Sequence, residues 1–352
     1  ARAWRHRTLA SNDSNDEAAP EEEDGESLAT VAPQRTVFLV VFLHLLGFTM
    51  GGPILPALRS HFGLEAAQTG LITSAFPLGM FVAVFVFPAL SDRIGRKPVL
   101  ITSYLGVGIG FVLQACALYW NAPFHVFLAL RTASGCFAGA STVVKAYIAD
   151  ITPAHSLSRV MAYREAAGTL AFIVGPTVGG LLFTFFAHWG THACLALVVL
   201  CCGLTSVLAS VLVFLRLKPC VVGGDQPQAS PAAESKDKAA AMKAKAKASG
   251  SDQADFWEWL TPVCTMFAIS FAYNFGQAFF DTFLPIYCAE AFGWTPALLG
   301  PMLTCSACLV FLNSTFLYGH LVRSFGTVAI AIVGLCCMSG AILCIGGLPS
   351  AI

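Results

Sequence analysis

The chain has 352 residues, 56% of them hydrophobic and 11% charged, where soluble domains carry roughly 25% charged residues. That is too little charge to cover a water-facing surface, and the mean hydropathy of +0.71 reads as a polytopic helical membrane protein. The formal net charge is zero, so overall charge says nothing and its placement along the chain carries the information; no nucleic-acid partner is expected. No nucleotide-binding loop and no nucleophile–base arrangement stands out, which argues against an ATP-driven pump or an enzyme. The 13 cysteines, many inside apolar runs such as Cys201-Cys202 and Cys336-Cys337, form no zinc-ligand or paired-disulfide pattern and read as small apolar helix residues. No metal and no cofactor is expected.

Residues 1–35 are polar, and 13–26 are dense in acid with no Lys or Arg. Such a segment cannot bury apolar area and is expected to be a disordered acidic tail. A spanning helix needs roughly 20 mostly apolar residues. Nine candidates follow, at about 36–58, 69–90, 98–119, 124–147, 162–187, 192–215, 260–287, 297–318 and 327–347. Residues 216–258 interrupt them with Pro, Ser, Gly, Ala and the run Lys243, Lys245, Lys247, a low-complexity linker. The chain thus divides into a six-helix bundle at 36–215 and a partial bundle of three helices at 259–352. Basic residues are distributed unevenly between the two ends of the spans. One side holds Arg93, Arg96, Lys97, Arg159, Arg164, the linker and Arg323; the other holds Arg59. The positive-inside bias then places the N-terminus and the linker in the cytoplasm, without naming a particular membrane.

Between the second and third spans lies Pro88–Pro98, where Asp92, Arg93, Arg96 and Lys97 are packed into a tight hairpin with Gly95 at its bend. Asp92, Arg93, Gly95, Arg96 and Lys97 resemble the signature loop of the major facilitator superfamily, with Pro88 standing where that pattern opens on Gly. The resemblance implies a loop that locks one state of the transport cycle, with Asp150 on the fourth helix as the partner of Arg96 in a charge-assisted pair. A weaker echo, Gly319–Gly326 with Arg323 but no acid, follows the eighth helix, as a duplicated half would give.

Arg131 lies inside the fourth apolar span, where a charge costs about 2.5–3.5 kcal/mol on insertion scales and normally faces a partner or a wet cavity. Arg131 and Gly135 resemble the family's Arg-x-x-x-Gly motif, which implies proton coupling; the other reading is an Arg that snorkels to the interface. In the fifth span, Gly168 and the run Gly175-Pro176-x-x-Gly179-Gly180 resemble the antiporter motif of the proton-driven drug exporters, with Ala171 at a place often held by Gly. The bland reading is a kinked packing face. Arg164 and Glu165 are expected to form a gate pair with Asp150 or Arg159. His44, midway along the first span, titrates near neutral pH and is a second proton-coupling candidate, or a packing histidine. Asn274, Gln277 and Asp281 share one face of the seventh helix. The first two are candidates for the substrate cavity, and Asp281 is a proton site or an end-capping acid.

The expected fold is an all-α polytopic membrane protein of two-bundle facilitator type, with its second bundle apparently truncated; by that comparison helices ten to twelve are missing. The expected function is secondary transport: proton-coupled export of small organic or drug-like molecules by alternating access. The expected partners are a small-molecule substrate, protons and the lipid bilayer. A facilitator or symporter of an organic metabolite, and a non-transporting membrane scaffold, stand as alternatives.

Overall fold

The computed structural model describes residues 21–219 and 252–347 of the chain. All regular structure among these residues is helical: α1 Glu21–Met50, α2 Leu55–Phe62, α3 Ala66–Ile94, α4 Arg96–Tyr119, α5 Phe124–Gly135, α6 Ala140–Ile151, α7 Ala154–Phe185, α8 Thr191–Arg216, α9 Asp252–Phe292, α10 Pro296–Leu312, α11 Tyr318–Phe325 and α12 Thr327–Gly347. A single π-helical stretch, Asn313–Leu317, joins α10 to α11.

Among the described residues seven helices are long and apolar enough to span a bilayer, with α5 and α6 together making the span Phe124–Ile151. The α1–α2 pair, bent by 46°, brings the count to eight when its two helices are taken as one broken span. Its break falls at Gly51-Gly52-Pro53, where two glycines and a proline cannot hold a helix interior. The ninth expected span forms the helix α12, whose 21 residues Thr327–Gly347 carry no charged side chain, a length that suits a crossing. Helix α1 begins at Glu21, inside the segment expected to be disordered. Residues 1–20 of that tail and 220–251 of the linker lie outside the described residues.

The first bundle has two cores. Met50, Ile54, Ile72, Phe76, Phe111, Phe127 and Leu195 fill the end nearer Arg59. Val37, Phe87, Val99, Tyr104, Val144, Tyr147 and Val213 fill the end nearer Asp92. Small residues set the helix spacings, as in other membrane bundles. A Cβ on Gly79 would collide with the Thr132 carbonyl of α5, and one on Gly135 with the Phe76 carbonyl of α3. Gly108 and Gly203 likewise bring α4 and α8 together. The outward faces are apolar: Phe81, Phe85 and Phe214 are 63–66% exposed. In water such faces would drive association; in a bilayer they meet acyl chains, while each helix satisfies its own backbone.

Candidate functional site

The hairpin between α3 and α4 turns at Gly95, whose φ of 97° and ψ of 158° end one helix and start the next. That positive φ is costly for any residue with a Cβ. The turn folds Arg96 back over α3 and against the end of α6. Its Nε donates to Asp150 Oδ2 at 3.0 Å, and its Nη1 donates to Asp92 Oδ1 and, at 2.6 Å, to Ser91 Oγ. One guanidinium therefore joins three elements, α3, α4 and α6. Lys97 lies 5.7 Å from the ring centre of Phe214 on α8, a cation–π contact. Arg93 is exposed.

Arg131 lies on α5 just before the helix breaks at 136–139. Its Nε donates to the Ile72 carbonyl at 2.9 Å, and its Nη1 is 3.5 Å from Gln114 Oε1. Gln114 is fully buried and donates in turn to Ser134 Oγ and the Gly110 carbonyl. Among the described ion pairs none includes Arg131.

The fifth-span motif sits where three helices meet. A Cβ on Gly175 would strike Thr49 of α1, on Gly179 the Met50 carbonyl of α1, and on Gly180 the Pro296 carbonyl of α10. Gly300 of α10 returns the contact against the Pro176 carbonyl. Gly168 is looser, 3.1 Å from Leu45. The Thr49 hydroxyl donates to the Ala171 carbonyl at 3.0 Å, and the Thr304 hydroxyl meets the Ile173 carbonyl and the Thr177 hydroxyl, each at 2.6 Å. The run 171–180 is thus a seam that fastens α7 to α1 on one side and to α10, beyond the linker, on the other.

His44 bonds Ser206 of α8 at 3.3 Å and stacks edge-on to Tyr104, with ring centres 4.9 Å apart. Both rings line a cavity of about 200 Å³ enclosed by α1, α3, α4, α6 and α7. Arg164 lines it too. Its Nη2 donates to Ser141 Oγ at 2.9 Å and its Nη1 reaches the Glu165 carboxylate. The gate pair expected of Arg164 and Glu165 with Asp150 or Arg159 therefore does not form. Helix α7 starts at Ala154, well before the expected start near 162, so Arg164 stands in its third turn and projects into the bundle. Glu165 instead pairs with Arg164 and, at 3.7 Å, with Lys145.

Asn274, Gln277 and Asp281 are not brought to this cavity. Gln277 donates to Asp281 Oδ1 at 2.9 Å, while Asn274 bonds the Ser270 carbonyl of its own helix. Near the opposite end, Arg59 of α2 forms an ion pair with Glu290 of α9 and donates to the Leu64 carbonyl at 3.1 Å. Sequence reading passed over Arg164 as a cavity residue and Arg59–Glu290 as a link. Arg164, set among Arg159, Tyr163 and Glu165, carried no such signal as Arg131 did within its apolar run. Arg59 and Glu290 are 231 positions apart and carried none.

Bundled apolar helices, a charged hairpin at one end and a largely apolar cavity that also holds His44, Ser141 and Arg164 define a multi-pass membrane protein of transporter type. The family model of the Major Facilitator Superfamily matches residues 37–352, and the chain belongs to that family, a family of transporters and not of enzymes. It is 26% identical to multidrug resistance protein 2 of Bacillus subtilis (strain 168) over 320 residues, 89% of this chain and 73% of that protein. It is 32% identical to the class C tetracycline resistance protein of Escherichia coli over 152 residues, 42% of this chain and 37% of that protein. In structure it is similar to a bacterial homologue of the human lysosomal transporter Spinster in an inward-facing, unoccupied conformation. The TM-score is 0.64 at 17% identity, covering 84% of this chain and 63% of that one. The human organic anion transporter MFSD10 gives a TM-score of 0.56 at 22% identity, covering 82% and 72%. The chain thus spans well under half of the tetracycline resistance protein and less than two thirds of the Spinster homologue.

Proposed function

We propose that the protein is a secondary active transporter that exports small organic, drug-like molecules in exchange for protons by alternating access. The observation that carries this reading is the seam at Gly175, Pro176, Gly179 and Gly180: Gly175 and Gly179 pack against α1, while Pro176 and Gly180 join the first bundle to α10 through backbone contacts with Gly300 and Pro296 too close for any side chain. A seam of glycine, proline and hydroxyls is a surface along which two rigid bodies can rock about a central site. The multidrug and tetracycline resistance relatives support the substrate class. In this reading the Asp92 end, the N-terminus and the linker face the cytoplasm. Arg96 latches that end through Asp92 and Asp150. Protons bind at His44 or Asp281, and Arg131 tunes the proton site. Asn274 and Gln277 face substrate in a different state of the cycle.

The test is accumulation of a panel of fluorescent cationic and neutral drugs in vesicles bearing an imposed pH gradient, beside the Arg131→Ala variant. Gradient-driven accumulation that an uncoupler abolishes and the variant lacks is the expected result. A facilitator or symporter of an organic metabolite is the second reading. It is favoured by the neutral surroundings of Arg131, whose contacts are a carbonyl and an amide, and it predicts transport indifferent to the gradient.

A further inference from the structure

At the Arg59 end of the bundle two histidines meet that the transport reading does not use. His61 stands in the last turn of α2 and His192 in the first turn of α8. They are 131 positions apart in the chain, yet their Nδ1 atoms are 2.8 Å from one another. The ring centres are 4.6 Å apart and the ring planes cross at 72°. Both side chains reach the surface, His192 exposed and His61 half-buried. Each is carried on a fixed support. The His61 ring lies edge-on to Phe62, which packs in turn on Phe124 and Phe127. His192 follows the turn at Gly190, and Cys194 of the same helix holds the Phe186 carbonyl at 2.8 Å. An exposed hydrogen bond between two neutral rings adds little to stability, because water competes for both nitrogens. The convergence has a second use, since neutral imidazole is the commonest side-chain ligand of transition metals. With metal–nitrogen bonds of about 2.0–2.1 Å, two ligands at a right angle stand about 2.9 Å apart and two tetrahedral ligands about 3.4 Å. The separation of 2.8 Å matches the right angle, which belongs to the square-planar or tetragonal sites of Cu²⁺ and Ni²⁺. Among the described residues no third His, Cys, Asp or Glu joins the pair, so water completes the coordination. The nearby Arg59 is paired with Glu290, which offsets its repulsion of a cation.

We propose that His61 and His192 form a surface site for a divalent transition cation of the Cu²⁺ or Ni²⁺ type, which takes the place of the proton between the two Nδ1 atoms and clips α2 to α8. The ring that donates gives up its Nδ1 proton and takes one at Nε2 from water, so both rings stay neutral and both Nδ1 lone pairs go to the metal. The clip bears on transport because α2 also carries Arg59, which reaches Glu290 of α9. That consequence rests on the transporter reading; the binding does not.

The experiment is equilibrium binding of radiolabelled Ni²⁺ to the purified chain, free of any polyhistidine tag, in lipid nanodiscs with no gradient and no drug. One saturable site is expected above the binding of empty nanodiscs. His61→Ala and His192→Ala should each weaken it at least about tenfold, as loss of a metal-site residue does. His188→Ala, which removes another exposed histidine of the same end, should leave it unchanged. With one equivalent of Cu²⁺, electron paramagnetic resonance of the unsubstituted protein should show two coupled imidazole nitrogens, and of either variant one. The spectrum of the unsubstituted protein needs no variant, so it decides even if a substituted chain fails to fold. Absence of a saturable site, unchanged affinity in His61→Ala or His192→Ala, an equal loss in His188→Ala, or a single imidazole in the unsubstituted protein overturns the proposal. Because the assay contains neither gradient nor drug, its failure leaves drug–proton exchange untouched, and loss of exchange leaves this binding untouched.

Discussion

Arg96 donates from Nε to Asp150 at 3.0 Å while its Nη1 holds Asp92 and Ser91, so the first turn of α4 is tied at once to the end of α3 and the end of α6. The acids are substantially exposed, 62% for Asp92 and 40% for Asp150, whereas Arg96 is 13% exposed. Exposed pairs of this kind contribute about 0.2–1 kcal/mol each. Asp92→Asn should therefore move the melting temperature by no more than about 2–4 °C while changing the transport rate several-fold. Parallel thermal unfolding and initial-rate assays check this. An unchanged rate in Asp92→Asn would remove the latch assignment.

Two glycines of α3 make a matched pair of substitutions. Gly79 stands against the α5 backbone, whereas a Cβ at Gly70 meets nothing within 4 Å. Gly70→Ala should be neutral or stabilising by up to about 1 kcal/mol, the ordinary helix preference of Ala over Gly. Gly79→Ala forces α3 away from α5 and should cost about 1–3 kcal/mol, as overpacking does. Size-exclusion yield and melting temperature of the two variants measure the difference; equal behaviour would contradict the close approach.

The α7–α10 seam can be locked. The Thr177 and Thr304 hydroxyls are 2.6 Å apart, so a cysteine pair at these positions, on a background with Cys305 and Cys308 replaced by Ser, should form a disulfide under mild oxidation. If α7 and α10 shift during the cycle, oxidation stops transport and reduction restores it. Full transport in the oxidised protein would show that the seam is static.

Arg59 and Glu290 join α2 to α9 near the opposite end. Glu290 is 64% exposed and Arg59 22%, so the pair is weak and salt-sensitive. Arg59→Glu should alter the transport rate, and the double swap Arg59→Glu with Glu290→Arg should recover most of it. Failure of the swap, with both proteins folded, would assign the effect of Arg59 to its bond with the Leu64 carbonyl.

Local chemistry was readable in the sequence and tertiary neighbourhood was not. The Arg96–Asp150 contact was anticipated from the resemblance of Asp92, Arg93, Gly95, Arg96 and Lys97 to the family's signature loop, which implies a partner acid at the end of the fourth span. The break of Phe124–Ile151 into α5 and α6 was hidden, since the apolar run continues through 136–139 and the interruption arises from packing: Phe137 lies against Gly106 and the Ser103 hydroxyl, and Gly139 against Phe87. Arg164 was misplaced because the polar start of α7, Ala154-His155-Ser156, looked like loop, which moved every later residue of that helix too near its end. The ring contact of His44 with Tyr104 and its bond to Ser206 depend on how α1, α4 and α8 cluster, which no local pattern encodes.

The most direct measurement follows protons while substrate moves. Vesicles holding the protein and a lumenal pH indicator, with no imposed gradient, receive a transported drug on one side only. Exchange predicts that inward movement of a neutral drug drives protons out, so the lumen becomes more alkaline, and that Arg131→Ala abolishes the change. Drug entry with a constant lumenal pH would contradict proton exchange and leave facilitated transport in its place.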